Sequence, residues 1–283
     1  MKRLLVPTDF SKEAEHALDV AADLCKKMEH AEILLLHVME VPFGSFSVMG
    51  EVHTDYAFEQ VYQVKLIEKT KSRLAELENA TKEKGVTVVS KMEFGNAFEN
   101  IATAITDQQV DMVVMGSKGA SGLAEVFIGS NAERVIRNAS CPVLTVKGPT
   151  SILEIKSLVL ATDTTPEQEP VVEKVKALQE LLGLNIHVVR VITPYNFLAK
   201  GHALQQLKDF ATKVQLEDYT LDTIEAEFAD EGIIAFAEKH NIGLVAMGTH
   251  GRKGLAHFFG GSTAEDVANH SKIPIWTMKM PGV

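Results

Sequence analysis

Glycines that recur at a fixed spacing are the residues of this chain best suited to binding an anion. Gly116 and Gly119 follow an apolar run, and Gly129 with Ser130 and Asn131 comes ten residues after Gly119, where a helix is predicted to begin. A glycine turn brings backbone N–H groups close to a ligand without side chains in the way, and the first N–H groups of a helix favour phosphate. The pattern therefore predicts a two-part cradle for a polyphosphate, with a further bond from the Ser130 hydroxyl.

The same glycine spacing occurs a second time, at Gly248, Gly251, Gly261 and Ser262. In each half the motif follows an apolar run that ends in methionine and glycine, and it precedes another apolar run that closes the half. Chance cannot plausibly give this order twice, so the halves are two copies of one unit. The length of 283 residues is also what two domains of ordinary size require.

An aspartate ends the first apolar run of each half. In an open α/β sheet a ligand binds at the carboxyl ends of the strands, so each aspartate should face the glycines across a crevice. There the carboxylate can bind ribose hydroxyls or hold a Mg²⁺ ion that bridges phosphates. The alternative role of such an aspartate is to cap the helix that follows. The tripeptides that carry the two aspartates are Pro7-Thr8-Asp9 and Ala161-Thr162-Asp163.

Further candidates for a nucleotide site lie beside the aspartates and glycines, at the ends of neighbouring strands. The adenine is expected to rest near Pro7 and Val38, where the first and second strands end. A single glycine at a turn between a strand and a helix is often only structural, but three glycines at a fixed spacing, found twice, favour a site. The remaining candidates are Met115 in the first half and Val191, Met247, His250 and Thr263 in the second.

The elements that position these residues follow from the hydrophobic pattern. Short β-branched runs alternate with longer segments of helical period, which is typical of a parallel sheet with crossover helices. The predicted fold class is therefore α/β, with one doubly wound sheet in each of two domains, 1–148 and 152–283. Strands are predicted over 3–8, 32–38, 86–92, 111–115, 143–147, 157–162, 186–191, 219–227, 243–247 and 274–278. Helices are predicted over 11–29, 57–84, 97–108, 130–138, 168–182, 199–214, 231–240 and 262–270.

Composition limits the classes of function. Hydrophobic residues make up 46% of the chain and charged residues 23%, the balance of an ordinary soluble globular protein. The net charge of −10 argues against binding along a nucleic acid backbone, which requires a basic surface. No apolar stretch has the length of a signal peptide or of a membrane span, so we expect a cytoplasmic protein without membrane partners. The two cysteines, Cys25 and Cys141, are predicted to be buried thiols.

The residues quoted above resemble the ATP-binding class of the universal stress protein family. The resemblance lies in Val-Pro-Thr-Asp-Phe-Ser at 6–11 and in the two glycine motifs, and it covers essentially the whole chain. It implies two five-stranded parallel sheets of the adenine nucleotide alpha hydrolase-like type, with strand order 3-2-1-4-5. It also implies ATP or AMP, with Mg²⁺ as a further candidate, held by the first-strand aspartate and the glycine motif.

The same resemblance implies that domains pair through their last strands, here within one chain as a pseudo-dimer, with a homodimer as a further option. The implied function is a stress-response sensor or regulator rather than an enzyme, because no nucleophile with an adjacent base can be identified. Slow ATP hydrolysis, self-phosphorylation and a nucleotide-free interaction scaffold are the alternatives.

The two halves depart from each other at the predicted site. Ala161 stands where the first half has Pro7, and His250 stands where it has Lys118. The adenine edge and the phosphate contacts are therefore expected to differ between the halves. An irregular stretch over 44–55 is specific to the first half and is interpreted as a loop variation, or as a lid or packing arm.

Overall fold

Strands and helices alternate through both halves of the protein. The computed structural model describes residues 2–40, 56–117, 129–196, 199–249 and 263–281, with the backbone alone for 56–60. The first half contains β1 (Arg3–Pro7), α1 (Lys12–Lys27), β2 (Glu32–Met39), α2 (Tyr56–Lys82), β3 (Thr87–Phe94), α3 (Ala97–Asp107), β4 (Met112–Gly116), α4 (Ser130–Asn138) and β5 (Val143–Val146). The second half contains β6 (Ser157–Ala161), α5 (Glu169–Leu182), β7 (Asn185–Ile192), α6 (Lys200–Lys213), β8 (Tyr219–Glu225), α7 (Ala229–Lys239), β9 (Leu244–Thr249), α8 (Thr263–His270) and β10 (Ile275–Lys279).

The described strands form one continuous sheet, in the order β3-β2-β1-β4-β5-β10-β9-β6-β7-β8. Within each half every neighbouring pair is parallel. Numbered within its own half, each set of strands follows the order 3-2-1-4-5. The predicted fold class is therefore confirmed, and in both halves the order reverses beside the first strand, where such sheets bind ligands.

Helices cover both faces of the sheet, which explains why the strands are apolar on both sides. On β1, Leu4 and Val6 pack into the core beneath α1, whereas Leu5 packs into the core beneath α3 and α4. The second half repeats this arrangement with α5 on one face and α7 and α8 on the other. Among the described residues, no helix combines the length and the apolar character that crossing a bilayer requires.

The two halves meet along their last strands. β5 and β10 pair antiparallel, with Leu144 opposite Trp276, and both side chains are fully buried. Above this seam Arg137 of α4 reaches Glu265 of α8 and donates from Nε to Oε1 at 2.7 Å and from a terminal nitrogen to Oε2 at 2.5 Å. The bond to Glu265 raises the pKa of Arg137, and Glu265 itself is buried. A bidentate pair of this kind has both a preferred geometry and a favourable energy, so it fixes α4 against α8.

The helix α2 distinguishes the first half from the second. It is 27 residues long, and its later part packs against the sheet through residues such as Leu74. Its earlier part carries Val61, Tyr62, Val64 and Leu66, each more than 40% exposed. The stretch 44–55 lies outside the described residues, so its interpretation as a loop variation, or as a lid or packing arm, stays a prediction.

Both cysteine thiols are buried, and burial raises the pKa of each from 9.0 to about 11. Because the thiolate is the reactive form, a rise of this size lowers its fraction at pH 8 by about 100-fold. We therefore expect both thiols of the native protein to react with a disulfide reagent at least about 100-fold more slowly than free cysteine at pH 8. The rate should increase as the pH rises toward 11. Protein unfolded in guanidinium is the control, and rapid labelling of the native protein would contradict the prediction.

Candidate functional site

A cavity of about 440 Å³ opens at the carboxyl ends of β1, β2 and β4. Its volume lies within the range of small-molecule sites in proteins. The first turns of α1, α3 and α4 complete its wall. Every first-half candidate that the structure describes lines this one cavity, whereas Gly119 lies outside the described residues. These lining candidates are Pro7, Thr8, Asp9, Val38, Met115, Gly116, Gly129, Ser130 and Asn131.

One end of the cavity is formed by the beginning of α4. Gly129 is the N-cap residue of this helix, and it offers no side chain to satisfy the first-turn N–H groups. Its own N–H donates to the carbonyl of Ser117 at 2.8 Å, which ties the start of α4 to the end of β4. Unsatisfied N–H groups and the helix dipole favour an anion at such a position. This end of the cavity can therefore hold phosphate.

Gly116 has a structural reason to be glycine as well as a place in the cavity. A Cβ atom built on Gly116 would lie 2.8 Å from the carbonyl carbon of Glu13 and 2.9 Å from its carbonyl oxygen. Carbon atoms in contact are normally about 3.5–4.0 Å apart. The close packing of β4 against the first turn of α1 therefore requires a residue without a side chain, whatever the ligand.

The aspartate of the first half is not the N-cap of α1, which is Ser11, but it supports the turn that leads into this helix. Asp9 is exposed on the cavity wall, and its Oδ1 accepts a hydrogen bond from the N–H of Ser11 at 3.0 Å. Ser11 is in turn the N-cap of α1, and its hydroxyl accepts a bond from Ala14 N–H. The turn between them places Phe10 at φ 63°. A helix-initiating turn thus orients the Asp9 carboxylate toward the cavity.

The opposite end of the cavity is apolar and includes residues that the sequence analysis missed. Leu36 and Ile101 line it with Val38, and Glu40 stands at its edge beside the start of α3. The Glu40 carboxylate accepts a bond from the N–H of Ala97 at 3.4 Å. One signal in the sequence could have placed the beginning of α3 near the cavity. Asn96 is a favoured N-cap residue, and its side chain accepts a hydrogen bond from the N–H of Glu99. The other lining residues that were not predicted are Ala14, Ser117 and Ala132.

In the second half, the first-strand candidates lie beside the end of β9. Ala161 pairs with Met247, so the neighbouring Asp163 and Gly248 follow at adjacent strand ends. Val191 lies on β7, and Thr263 begins α8. The structure therefore brings five of the candidates together at the carboxyl ends of β6 and β9: Ala161, Thr162, Asp163, Met247 and Gly248. The candidates outside the described residues are His250, Gly251, Gly261 and Ser262.

The carboxylate of Asp163 is held by several groups of the turn that follows it. Its Oδ1 accepts bonds from the N–H of Thr165 at 3.1 Å, from the Thr165 hydroxyl at 2.9 Å and from Gln168 Nε2 at 3.3 Å. Its backbone carbonyl accepts a bond from Arg190 at 3.1 Å. The carboxylate is therefore engaged by the turn that follows it.

The described residues offer few side-chain ligands for a metal ion. Across the described ranges, no group of three or more histidine, cysteine, aspartate or glutamate residues is placed to hold a metal ion. Asp9 and Glu40 are the carboxylates in the described lining of the first cavity, and so few protein ligands fit an ion that is mainly coordinated by phosphates and water.

Comparison with known proteins agrees with the repeated architecture. The universal stress protein family matches this chain twice, at residues 1–147 and 154–279. Universal stress protein Slr1230 of Synechocystis sp. is 25% identical over 99% of this chain and 100% of its own length. Universal stress protein MJ0577 of Methanocaldococcus jannaschii is 32% identical over 52% of this chain and 94% of its own length.

A solved structure supports the same fold for the whole chain. The crystal structure of a universal stress protein from Archaeoglobus fulgidus superposes with a TM-score of 0.75, covering 98% of each chain at 22% identity. At that identity the superposition establishes the fold alone. Together with the two family matches over nearly the full length, it shows that the chain belongs to the universal stress protein family, as a member with two such domains in tandem.

Proposed function

We propose that this protein binds an adenine nucleotide in the cavity of its first domain and acts as a stress-response sensor or regulator. The observation that carries the proposal is that one cavity of about 440 Å³ contains an apolar end, a carboxylate and the start of a helix. A nucleotide has a base, a ribose and phosphates, in that order. The cavity offers each part a matching surface.

The adenine would pack at the apolar end, between Val38 and Ile101. Asp9 would accept hydrogen bonds from the ribose hydroxyls, or contact a Mg²⁺ ion carried by the phosphates. The phosphates would bind at the N-terminus of α4, where Ser130 adds a hydroxyl to the backbone N–H groups of the first turn. ATP and AMP share the base and the ribose, so they differ only in their use of this last region.

We propose regulation rather than catalysis as the role of the bound nucleotide. The described lining of the cavity includes Ser117 and Ser130 but no histidine or lysine that would activate a serine hydroxyl. The first turns of three helices meet at the cavity, so occupancy would order α1, α3 and α4 together. We further propose that the paired last strands make the chain an intramolecular pseudo-dimer, which would present these helices to a partner as a fixed surface.

Replacing Asp9 with asparagine is expected to weaken ATP binding about tenfold, because a hydrogen bond to a charged group is stronger than one to a neutral group by about 1.4 kcal/mol. Asparagine keeps an acceptor for the N–H of Ser11, so α1 retains its start. Titration calorimetry of the nucleotide-stripped protein with ATP, ADP and AMP measures the effect.

The matched control is Asp23→Asn, which removes a partly exposed carboxylate that pairs with Lys26 in α1, the helix that follows Asp9. This variant should bind like the parent protein. A purified protein that releases no adenine nucleotide on denaturation, and that binds none in the titration, would contradict the proposed function. A protein-interaction scaffold would then be the better description.

A further inference from the structure

Each half has a crevice at the carboxyl ends of its strands, and the two crevices are formed by matching segments of the repeat. They differ at two positions that contact the strand ends. Ala14 stands five residues after Asp9, and Gln168 stands five residues after Asp163. A second pair of matching positions follows the last strand of each half: Gly148 after β5 and Met280 after β10. Each lies three residues beyond the threonine of its own strand. At both positions the second half has the larger side chain.

Gln168 fills space at the end of β9. Its side chain is 4% exposed, and its Oε1 lies 2.8 Å from the position that a Cβ atom on Gly248 would take. Its Nε2 donates to Asp163 Oδ1 at 3.3 Å. In the first half the residue at this position is Ala14, which lines the open cavity. Gln168 therefore joins the two strand ends, Asp163 and Gly248, that a nucleotide would have to contact.

Met280 covers the same glycine. The side chain is 1% exposed, and its Cγ and Sδ both lie 3.0 Å from the Cβ position of Gly248. At the matching place in the first half, the Cβ position of Gly148 has no neighbour within 4 Å. The space beside Gly248 is thus occupied by the protein's own side chains, in contrast to the space beside Gly116, which is occupied by the backbone of α1.

The carboxylate of Asp163 is also hydrogen-bonded to neighbouring groups of the second half. In the first half the Ser11 hydroxyl caps Ala14 N–H, whereas in the second half the matching hydroxyl, on Thr165, donates to Asp163 instead. Arg190 stands where the first half has His37, and it holds the Asp163 carbonyl at 3.1 Å and the Thr164 hydroxyl at 3.0 Å. The Oδ1 atom of Asp163 is therefore committed to bonds that the fold supplies.

We propose that Gln168 and Met280 close the second crevice to nucleotide, so that each chain binds a single nucleotide, in its first domain. This inference rests on the proposed function for the first cavity. The second domain then serves as a permanently filled counterpart of the first. Its strand ends are held by Gln168 and Arg190 where a ligand would otherwise order them.

The number of ATP molecules bound per chain at saturation tests the proposal, by equilibrium dialysis of the stripped full-length protein with millimolar ATP. We expect one per chain, a much weaker affinity in Asp9→Asn, and an unchanged affinity in Asp163→Asn. Two per chain, or loss of binding in Asp163→Asn, would overturn the inference while leaving nucleotide binding in place. No binding at all would overturn the proposed function, and the count of one with it.

Removing the side chains of Gln168 and Met280 tests directly whether they close the second crevice to nucleotide. Gln168→Ala combined with Met280→Ala is expected to raise the count above one per chain. The first substitution should be tolerated, since Gln168 Oε1 has no hydrogen-bond partner among the described residues and its loss leaves no donor without an acceptor. Circular dichroism checks the fold, and Gln168→Ala alone serves if the double variant unfolds. A folded variant that still binds one ATP would overturn the assignment to these side chains.

Discussion

Replacing Gly116 with valine is expected to lower the free energy of unfolding by about 3 kcal/mol, the upper part of the range for overpacked positions. The new Cβ would lie 2.8 Å from the carbonyl carbon of Glu13, and that neighbour is backbone, which cannot rotate away. Either β4 or the first turn of α1 must therefore shift by about 1 Å to restore normal contact distances. Thermal or urea unfolding measures the change in stability.

The same shift should reach the nucleotide site. The first turn of α1 follows directly from Asp9, and Gly116 itself lines the cavity. Loss of one or two hydrogen bonds worth about 1 kcal/mol each would lower ATP affinity by about 5-fold to about 30-fold. Gly148→Ala is the control, because its Cβ position has no neighbour within 4 Å. Parent-like stability and ATP affinity in Gly116→Val would show that the packing of β4 against α1 is looser than described.

Replacing Arg137 with leucine is expected to destabilise the protein by about 3 kcal/mol, because it removes both guanidinium bonds from a buried carboxylate. Glu265 is 5% exposed, and the bonds at 2.7 and 2.5 Å come from the other half of the chain. The loss should therefore fall on the seam between the halves. Urea unfolding monitored by the fluorescence of Trp276, which lies in that seam, reports on it directly.

Two variants make this result interpretable. Arg134→Leu removes an exposed arginine from the same helix, where it lies over the Phe98 ring at 4.3 Å, and should cost less than about 1 kcal/mol. In Arg137→Leu combined with Glu265→Leu, much of the stability should return, since replacing both members of a buried pair by apolar groups is often neutral. If Arg137→Leu is no more destabilising than Arg134→Leu, the ion pair does not hold the seam.

Local features of the fold were readable in the sequence because they repeat. The predicted strand and helix boundaries agree with the structure to within two residues throughout. The hydrophobic period predicts whether each segment is a strand or a helix, and the same element is predicted independently in the other half. The same regularity placed Asp9 and the described first-half glycines, Gly116 and Gly129, on one cavity wall.

What the sequence analysis missed depends on contacts between distant segments. The part of the cavity formed by α3 arises from crossover geometry, which brings Ile101 beside Val38. Gln168 was assigned to the predicted helix 168–182 without a role, yet its position against Gly248 is decided by the 3₁₀ turn Pro166–Gln168 that precedes α5. The glycine spacing predicted a site in each half, and the exchange of Pro7 for Ala161 predicted that the two would differ, but the position of Gln168 against Gly248 was not predicted.

The antiparallel pairing of β5 with β10 has a consequence for how the protein responds to its own abundance. Two separate chains joined along these strands would dissociate on dilution, but here a short connection between residues 146 and 157 keeps each half at an effective concentration of about millimolar relative to the other. The assembled state is therefore independent of how much protein the cell contains. Covalent fusion also frees each half to mutate alone. A substitution such as glutamine in place of Ala14 would block both sites of a symmetric dimer, whereas in this chain one half can lose its ligand while the other keeps it.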